Sequence, residues 1–155
     1  MTEDQQVKKT LETAKTIAMV GVSSIKKEIS TNISRRPSTI VMKYMQEFGY
    51  RVIPVNPFSA GEKIHGETIV AKLNDIKIPV DIVDVFRPSK EAIVIAEDTI
   101  KIGAKVFWLQ YGIQNDEAKK IVESKNISYI ANKCIKQEYQ RLFLKVNPVF
   151  PALKK

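Results

Sequence analysis

The stretch TIAMVGVSSIKKEISTNISRRPSTIVMKYM, Thr16–Met45, decides the fold. An apolar run ends at Gly21, where the chain is able to turn and expose backbone N–H groups. After Pro37 the apolar residues Ile40, Val41, Tyr44, Met45 and Phe48 follow the i, i+3, i+4, i+7 spacing of an amphipathic helix, and Gly49 supplies its stop. Strand, glycine turn and helix in that order open a βαβ unit of the kind that binds nucleotides. The second and third glycines of the G-x-G-x-x-G fingerprint are missing, so the loop is either a phosphate loop of another kind or a plain strand-to-loop turn.

Outward from this unit, further short apolar runs recur: YRVIPV from Tyr50, VDIVDVF from Val80, AKVFWLQ from Ala104 and ISYIAN from Ile127. None alternates strictly, as expected of parallel strands covered on both faces. Helical stretches separate them. PSKEAIVIAEDTIKIG starts with Pro88 and Ser89, carries Ile93, Ala96 and Ile100 along one side and stops at Gly103. NDEAKKIVESKN has Asn115 as its cap, and IKQEYQRLFLKV makes the last helix. Strand alternating with helix predicts a Rossmann-like α/β domain: an open, mainly parallel five-stranded sheet with helices on both faces, a three-layer sandwich. One domain is expected over residues 1–155, with an N-terminal helix over 1–14 packed at an edge and an extended tail over 147–155.

Composition narrows the class. No run of about 18 apolar residues is present to span a membrane, and MTEDQQVKKTLETAK lacks the apolar core of a signal peptide, so a cytoplasmic location is expected. A single cysteine, Cys134, allows no internal disulfide, and no Cys/His cluster suits a metal. The formal charge of +8 favours anionic partners. Its basic doublets are scattered, with acids between most of them, which fits solvated surface better than a nucleic-acid face.

In an open parallel sheet ligands sit beyond the carboxyl ends of the strands, so those ends carry the candidate residues. At the first, Gly21 and Val22 precede the hydroxyls of Ser23 and Ser24, which suit phosphate oxygens, with Lys26 further on. Arg35 or Arg36 adds charge, and Ser38 lies in the first turn of the following helix, whose N-terminus attracts anions. The second strand ends in Asn56, Pro57 and Phe58, an edge for a planar base, with no Asp or Glu to take the ribose of NAD. Phe86 and Arg87 are expected to point from the third strand into one crevice, as apolar wall and phosphate partner, unless Arg87 pairs with an acid. Asp81 and Asp84 read as structural carboxyls that cap a helix or bond a loop. Catalytic machinery is thin: the one histidine, His65, lies between glycines in a surface turn, and a lone Cys134 is more often a small buried hydrophobe than a nucleophile.

Taken together, IAMVGVSS, RPS, FGYRVIPVNPFSAGEKIHGE, VDIVDVFRPS, GAKVFWLQYGIQNDEA and NKCIKQEYQRLF resemble the small stand-alone CoA-binding proteins, which look like the N-terminal CoA-binding domain of succinyl-CoA ligase alpha subunits. The resemblance runs from about Lys15 to Phe143. It implies coenzyme A or an acyl-CoA as the ligand, with Gly21, Val22, Ser23 and Ser24 lining the first loop and Ser38 meeting phosphate beside Arg36. It further implies Asn56, Pro57 and Phe58 on the adenine side, with Phe86 and Arg87 closing the crevice. The connection IKKEISTNISR is longer than in many relatives, and Phe58 stands where they often carry a basic residue. Ligases of that type need a phosphorylated histidine on a further domain, so the resemblance implies a binding module rather than an enzyme. The alternatives are an NAD(P)-binding protein, a small CoA-dependent transferase or redox protein using Cys134, and an RNA-associated basic protein. Homodimerisation through a sheet edge or helix face stays open.

Overall fold

Successive strand residues point to opposite faces of a single sheet and are buried on both, which sorts the core into two layers. In the computed structural model, which describes residues 1–22 and 37–145, the chain runs α1 (Glu3–Thr13), β1 (Thr16–Val20), α2 (Pro37–Glu47), β2 (Arg51–Val55), a short hairpin of β3 (Lys63–Ile64) and β4 (Glu67–Thr68), and β5 (Ile82–Val85). It continues through α3 (Ala92–Ile102), β6 (Val106–Leu109), α4 (Asp116–Glu123), β7 (Ser128–Ile130) and α5 (Ile135–Tyr139), the last extended by a wider turn over Gln140–Leu144. The main sheet has five parallel strands in the order β2-β1-β5-β6-β7. Order reverses between β1 and β5, which makes that junction the switch point where open α/β sheets bind ligands.

Ile17, Met19, Val52, Ile82, Trp108 and Ile130 face α1, α2 and α5, whereas Ala18, Val55, Val83, Val85, Phe107 and Leu109 face α3 and α4. The N-terminal helix therefore covers a face of the sheet rather than an edge: Val7 and Leu11 are buried there, and the Tyr50 hydroxyl donates to the Leu11 carbonyl at 2.5 Å. Its start is fixed by a reciprocal cap between Thr2 and Gln5. Ion pairs of Arg141 with Asp4 and of Lys133 with Glu3 tie it to the α5 region.

Two helical stripes sit one position away from the sequence expectation. In α2 the inward residues are Ser38, Val41, Met42 and Met45, while Ile40 and Phe48 stay more than a third exposed. Tyr44 and Phe48 instead join a row of aromatic rings with Tyr139 and Phe143. In α3 the buried set is Ala92, Ile95, Ala96 and Thr99, with Ile93 and Ile100 at its margins. A tight 3-10 turn, Ser89–Glu91, leads directly into this helix. Edge strand β2 contains Pro54, which has no N–H to offer; its carbonyl accepts from Val70, whose segment covers that edge.

The two strand carboxylates behave differently. Asp81 accepts the backbone N–H groups of Lys15 (2.8 Å) and Thr16 (3.1 Å) and meets Lys105. Burial pushes its carboxyl up, but those N–H groups and Lys105 outweigh it and leave Asp81 below the ordinary carboxylate range. Asp84 lies fully buried between Met19 and Trp108 in the sheet register, and neither oxygen has a hydrogen-bond partner among the described residues. It neither caps a helix nor bonds a loop among the described residues, contrary to the expectation for it, because mid-strand its neighbours are apolar. Burial holds its carboxyl well above the ordinary range.

A folded-state value raised above the unfolded one means that the native chain keeps a proton which the unfolded chain releases, so stability falls as pH rises from near 3.8 upward. Asp84→Asn removes that ionisation. Its stability relative to the parent is expected to improve by on the order of 1 kcal/mol per pH unit over the window in which the native Asp84 stays protonated. Urea denaturation of both proteins at several pH values above the ordinary carboxylate range tests this; a pH-independent difference contradicts it.

Candidate functional site

At the end of β1 the chain turns within van der Waals reach of the residues that follow β5. The Gly21 N–H donates to the Val55 carbonyl at 2.8 Å, and the Phe86 N–H donates to the Val20 carbonyl at 2.8 Å, so Gly21 is clasped at the switch point. Its φ of +105° is a region that side chains avoid. A Cβ there would lie 3.1 Å from Arg87 Cδ and 3.3 Å from Phe86 Cβ. Only glycine lets the two segments approach this closely.

Val22 then turns its side chain into the core on the α2 face, and its carbonyl accepts from Asn56 Nδ2 at 3.0 Å. The other end of that amide, Oδ1, accepts the Phe58 N–H at 2.9 Å in a local turn. Asn56 therefore joins the β1 loop to the β2 turn and sets the position of Pro57 and Phe58, the latter 79% exposed. Ser38 lies in the first turn of α2 and is buried at 4% exposure. Ser23, Ser24, Lys26, Arg35 and Arg36 lie outside the described residues.

Two clefts open at the carboxyl end of the sheet, and Gly21 lines the first of them. One, about 340 Å³, lies toward α3 and is lined by Gly21, Asn56, Pro57, Phe58, Lys72, Arg87, Glu91 and Asp98 among others. The second, about 600 Å³, lies toward α2 and α5 and is lined by Pro37, Val41, Phe86, Gln110, Tyr111, Ile113, Cys134 and Gln137. Phe86 and Arg87 do not share one crevice, as the sequence suggested: alternation continues one step beyond β5 and sends them to opposite faces. A further cleft of about 430 Å³ lies under α1 at the amino ends of the strands, the wrong end of a parallel sheet for a ligand.

Within the first cleft Arg87 pairs with Glu91 through two hydrogen bonds, Nε to Oε1 at 3.0 Å and Nη2 to Oε2 at 2.8 Å. Hydrogen bonding to Glu91 raises the guanidinium above its ordinary range, and the same bond holds the Glu91 carboxyl below its own. Of the two roles that the sequence left open for Arg87, pairing with an acid is therefore present, inside the cleft rather than away from it. Lys72, Glu91, Ile95 and Asp98 escaped the sequence reading because they reach the cleft from the residue before the 3-10 turn Leu73–Asp75, from the 3-10 turn Ser89–Glu91 and from α3, whose spatial placement no motif encodes.

In the second cleft, Gln110 is buried and its Oε1 accepts the Ile135 N–H at 3.2 Å, while Trp108 Nε1 donates to the Lys133 carbonyl at 2.8 Å. These bonds fix the turn that presents Cys134, which is half-buried, packs against the core and also faces the cleft. His65 sits elsewhere, in the β3–β4 turn at φ +49°, with Nε2 3.2 Å from the Thr39 carbonyl. Among the described residues no group of three or more His, Cys, Asp or Glu side chains is placed to hold a metal, and no helix is long and apolar enough to cross a membrane.

A five-stranded parallel sheet with helices on both faces and clefts at its carboxyl end defines the Rossmann-like α/β class. Residues 15–140 match the CoA binding domain family, and the chain belongs to it. It is 37% identical over 131 residues to the uncharacterized protein YneT of Bacillus subtilis (strain 168), covering 84% of this chain and 90% of that one. Among solved structures it is similar to cell-free ID.343 from Thermus thermophilus (38% identity, TM-score 0.81, covering 92% of this chain and all of that one). A hypothetical protein from Pyrococcus horikoshii OT3 is 35% identical with TM-score 0.81, covering 91% of this chain and 92% of the other. At 19% identity, a dinucleotide-forming acetyl-coenzyme A synthetase from Ca. Korarchaeum cryptofilum shares the fold over 26% of its length.

Gly21→Ala is expected to lose about 1–3 kcal/mol of stability, combining backbone strain with the collision against Arg87 and Phe86. Gly49→Ala, at φ +100° with nothing within 4 Å, incurs the strain alone and serves as the control. Denaturant midpoints give both; equal losses contradict the close approach.

Proposed function

We propose that the protein is a non-catalytic cytoplasmic module that binds coenzyme A or an acyl-CoA by its nucleotide end at the carboxyl edge of the sheet. The observation that carries this reading is Gly21 at the switch point, where a backbone without a side chain meets the stem of Arg87 in the lining of the first cleft. In this reading the adenine lies along Pro57 and Phe58, the pyrophosphate crosses Gly21 toward Arg87, and the thiol end passes toward the cleft of Phe86 and Cys134. Ser23, Ser24, Arg36 and Ser38 complete the phosphate side, a role proposed from the family pattern. The net charge of +8 suits a ligand with several phosphates.

A thermal-shift panel of CoA, acetyl-CoA, dephospho-CoA, NAD, NADP and ATP on ligand-stripped protein tests it. A ligand at about a hundred times its dissociation constant stabilises by about 2.7 kcal/mol, on the order of 5 to 10 °C for a chain of this size. Shifts confined to the CoA compounds are expected. NAD belongs in the panel because Asp98, although not at the β2 end, lines the same cleft, where its carboxylate could accept from a ribose hydroxyl. A shift with NAD alone would replace the CoA reading, and a flat panel would refute both.

One observation favours a second reading, a CoA-dependent redox or transfer protein: Cys134 faces the larger cleft. Its thiolate would attack CoA disulfide, forming a protein–CoA disulfide and releasing one CoA thiolate. Mass spectrometry after incubation with CoA disulfide is expected to show one adduct on Cys134 if this reading holds. An unmodified cysteine removes it.

A further inference from the structure

The Arg87–Glu91 pair is held side-on. A guanidinium carries five N–H donors in a planar fork, one on Nε and two on each terminal nitrogen. Glu91 takes the Nε edge with one oxygen and Nη2 with the other, and Nη1 has no partner among the described residues. A carboxylate placed end-on, across Nη1 and Nη2, would occupy the part of the fork that a phosphate binds; a side-on one leaves Nη1 available.

Glu91 is placed by a tight turn. It closes the 3-10 turn Ser89–Glu91, its N–H donates to the Pro88 carbonyl at 2.9 Å, and α3 begins at the next residue. At the other end, the stem of Arg87 lies over Gly21, with Cδ 3.1 Å from the missing Cβ position. The guanidinium is thus fixed at both ends, by Gly21 under its stem and by Glu91 along its side. The side chains of the pair are 42% and 38% exposed, a setting in which an ion pair adds little to stability. Orientation is what the pair supplies.

We propose, on the CoA-binding reading above, that Glu91 is a positioning residue of the anion site, which holds Arg87 with its Nη1 edge turned to the pyrophosphate crossing Gly21. An arginine already ordered spares the ligand the cost of immobilising a rotamer-rich side chain. Loss of Glu91 then weakens binding although Arg87 keeps its charge.

Calorimetric titration of CoA and dephospho-CoA into the parent, Glu91→Ala, Arg87→Ala and the double variant tests this. Glu91→Ala is expected to weaken both ligands alike by about 2- to 10-fold, with the unliganded thermal midpoint nearly unchanged. The double variant is expected to bind no more weakly than Arg87→Ala alone, since Glu91 acts only through Arg87. Unchanged or tighter binding by Glu91→Ala overturns the proposal, as do losses that add in the double variant. A loss confined to CoA, with dephospho-CoA unaffected, moves Arg87 to the 3′-phosphate and overturns the pyrophosphate assignment. A parent protein that binds neither ligand refutes the CoA reading itself, an outcome distinct from all of these.

Discussion

Everything at the carboxyl edge of the sheet depends on how closely the end of β1 approaches the chain leaving β5. Strand ladders bring Val20 beside both Val55 and Val85, and the next step forces Gly21 against Phe86 and Arg87. Hydrogen bonds on either side hold that approach, so a Cβ at Gly21 would crowd Arg87 Cδ and Phe86 Cβ besides straining the backbone. Two consequences follow from this one contact. The β1 loop meets the chain leaving β5 at backbone distance, and the stem of Arg87 is laid over Gly21. Asn56 extends the same constraint to β2 by holding the Val22 carbonyl with one end of its amide and the Phe58 N–H with the other.

Burial on both faces gives the sheet its core and makes its polar residues informative. Asp81 stands at the amino end of β5, where the start of β1 leaves two N–H groups for it to accept. Three residues on, Asp84 has crossed to the other face and lies among apolar side chains, with no hydrogen-bond partner among the described residues. The same side chain in the same strand is therefore a satisfied anion at the margin and an unpaired acid at the centre. The difference is one of access to backbone donors, which only the sheet's edges leave free.

The electrostatics of the first cleft differ from those of the chain as a whole. Although the protein carries a formal +8, this cleft sets Lys72 and Arg87 against Glu91 and Asp98. Attraction of a polyanion over distance is a property of the whole surface. Discrimination at contact range rests on which donors remain uncommitted after the internal pairing of Arg87.

Much of the fold was legible in the sequence because each buried strand needs an apolar run and each helix a repeating stripe. The runs around Ile17, Ile53, Val83, Phe107 and Ile130 became the parallel strands, and Gly49, Gly103 and Asn115 ended or capped helices as their chemistry requires. The position of Gly21 was legible for the same local reason. What only tertiary structure decided was everything that depends on rotation or distant approach. Packing of α3 on the sheet buried Ala92, Ile95 and Thr99 beside the expected Ala96 and left Ile93 and Ile100 at the margin. Strand alternation, carried one step past β5, parted Phe86 from Arg87. Lys72 and Asp98 met in one cleft because the packed sheet brings together segments far apart in the chain. Local composition determines which residues bury themselves and where the chain turns; the approach of segments separated by tens of residues is set by the packing of the whole sheet, which no short motif contains.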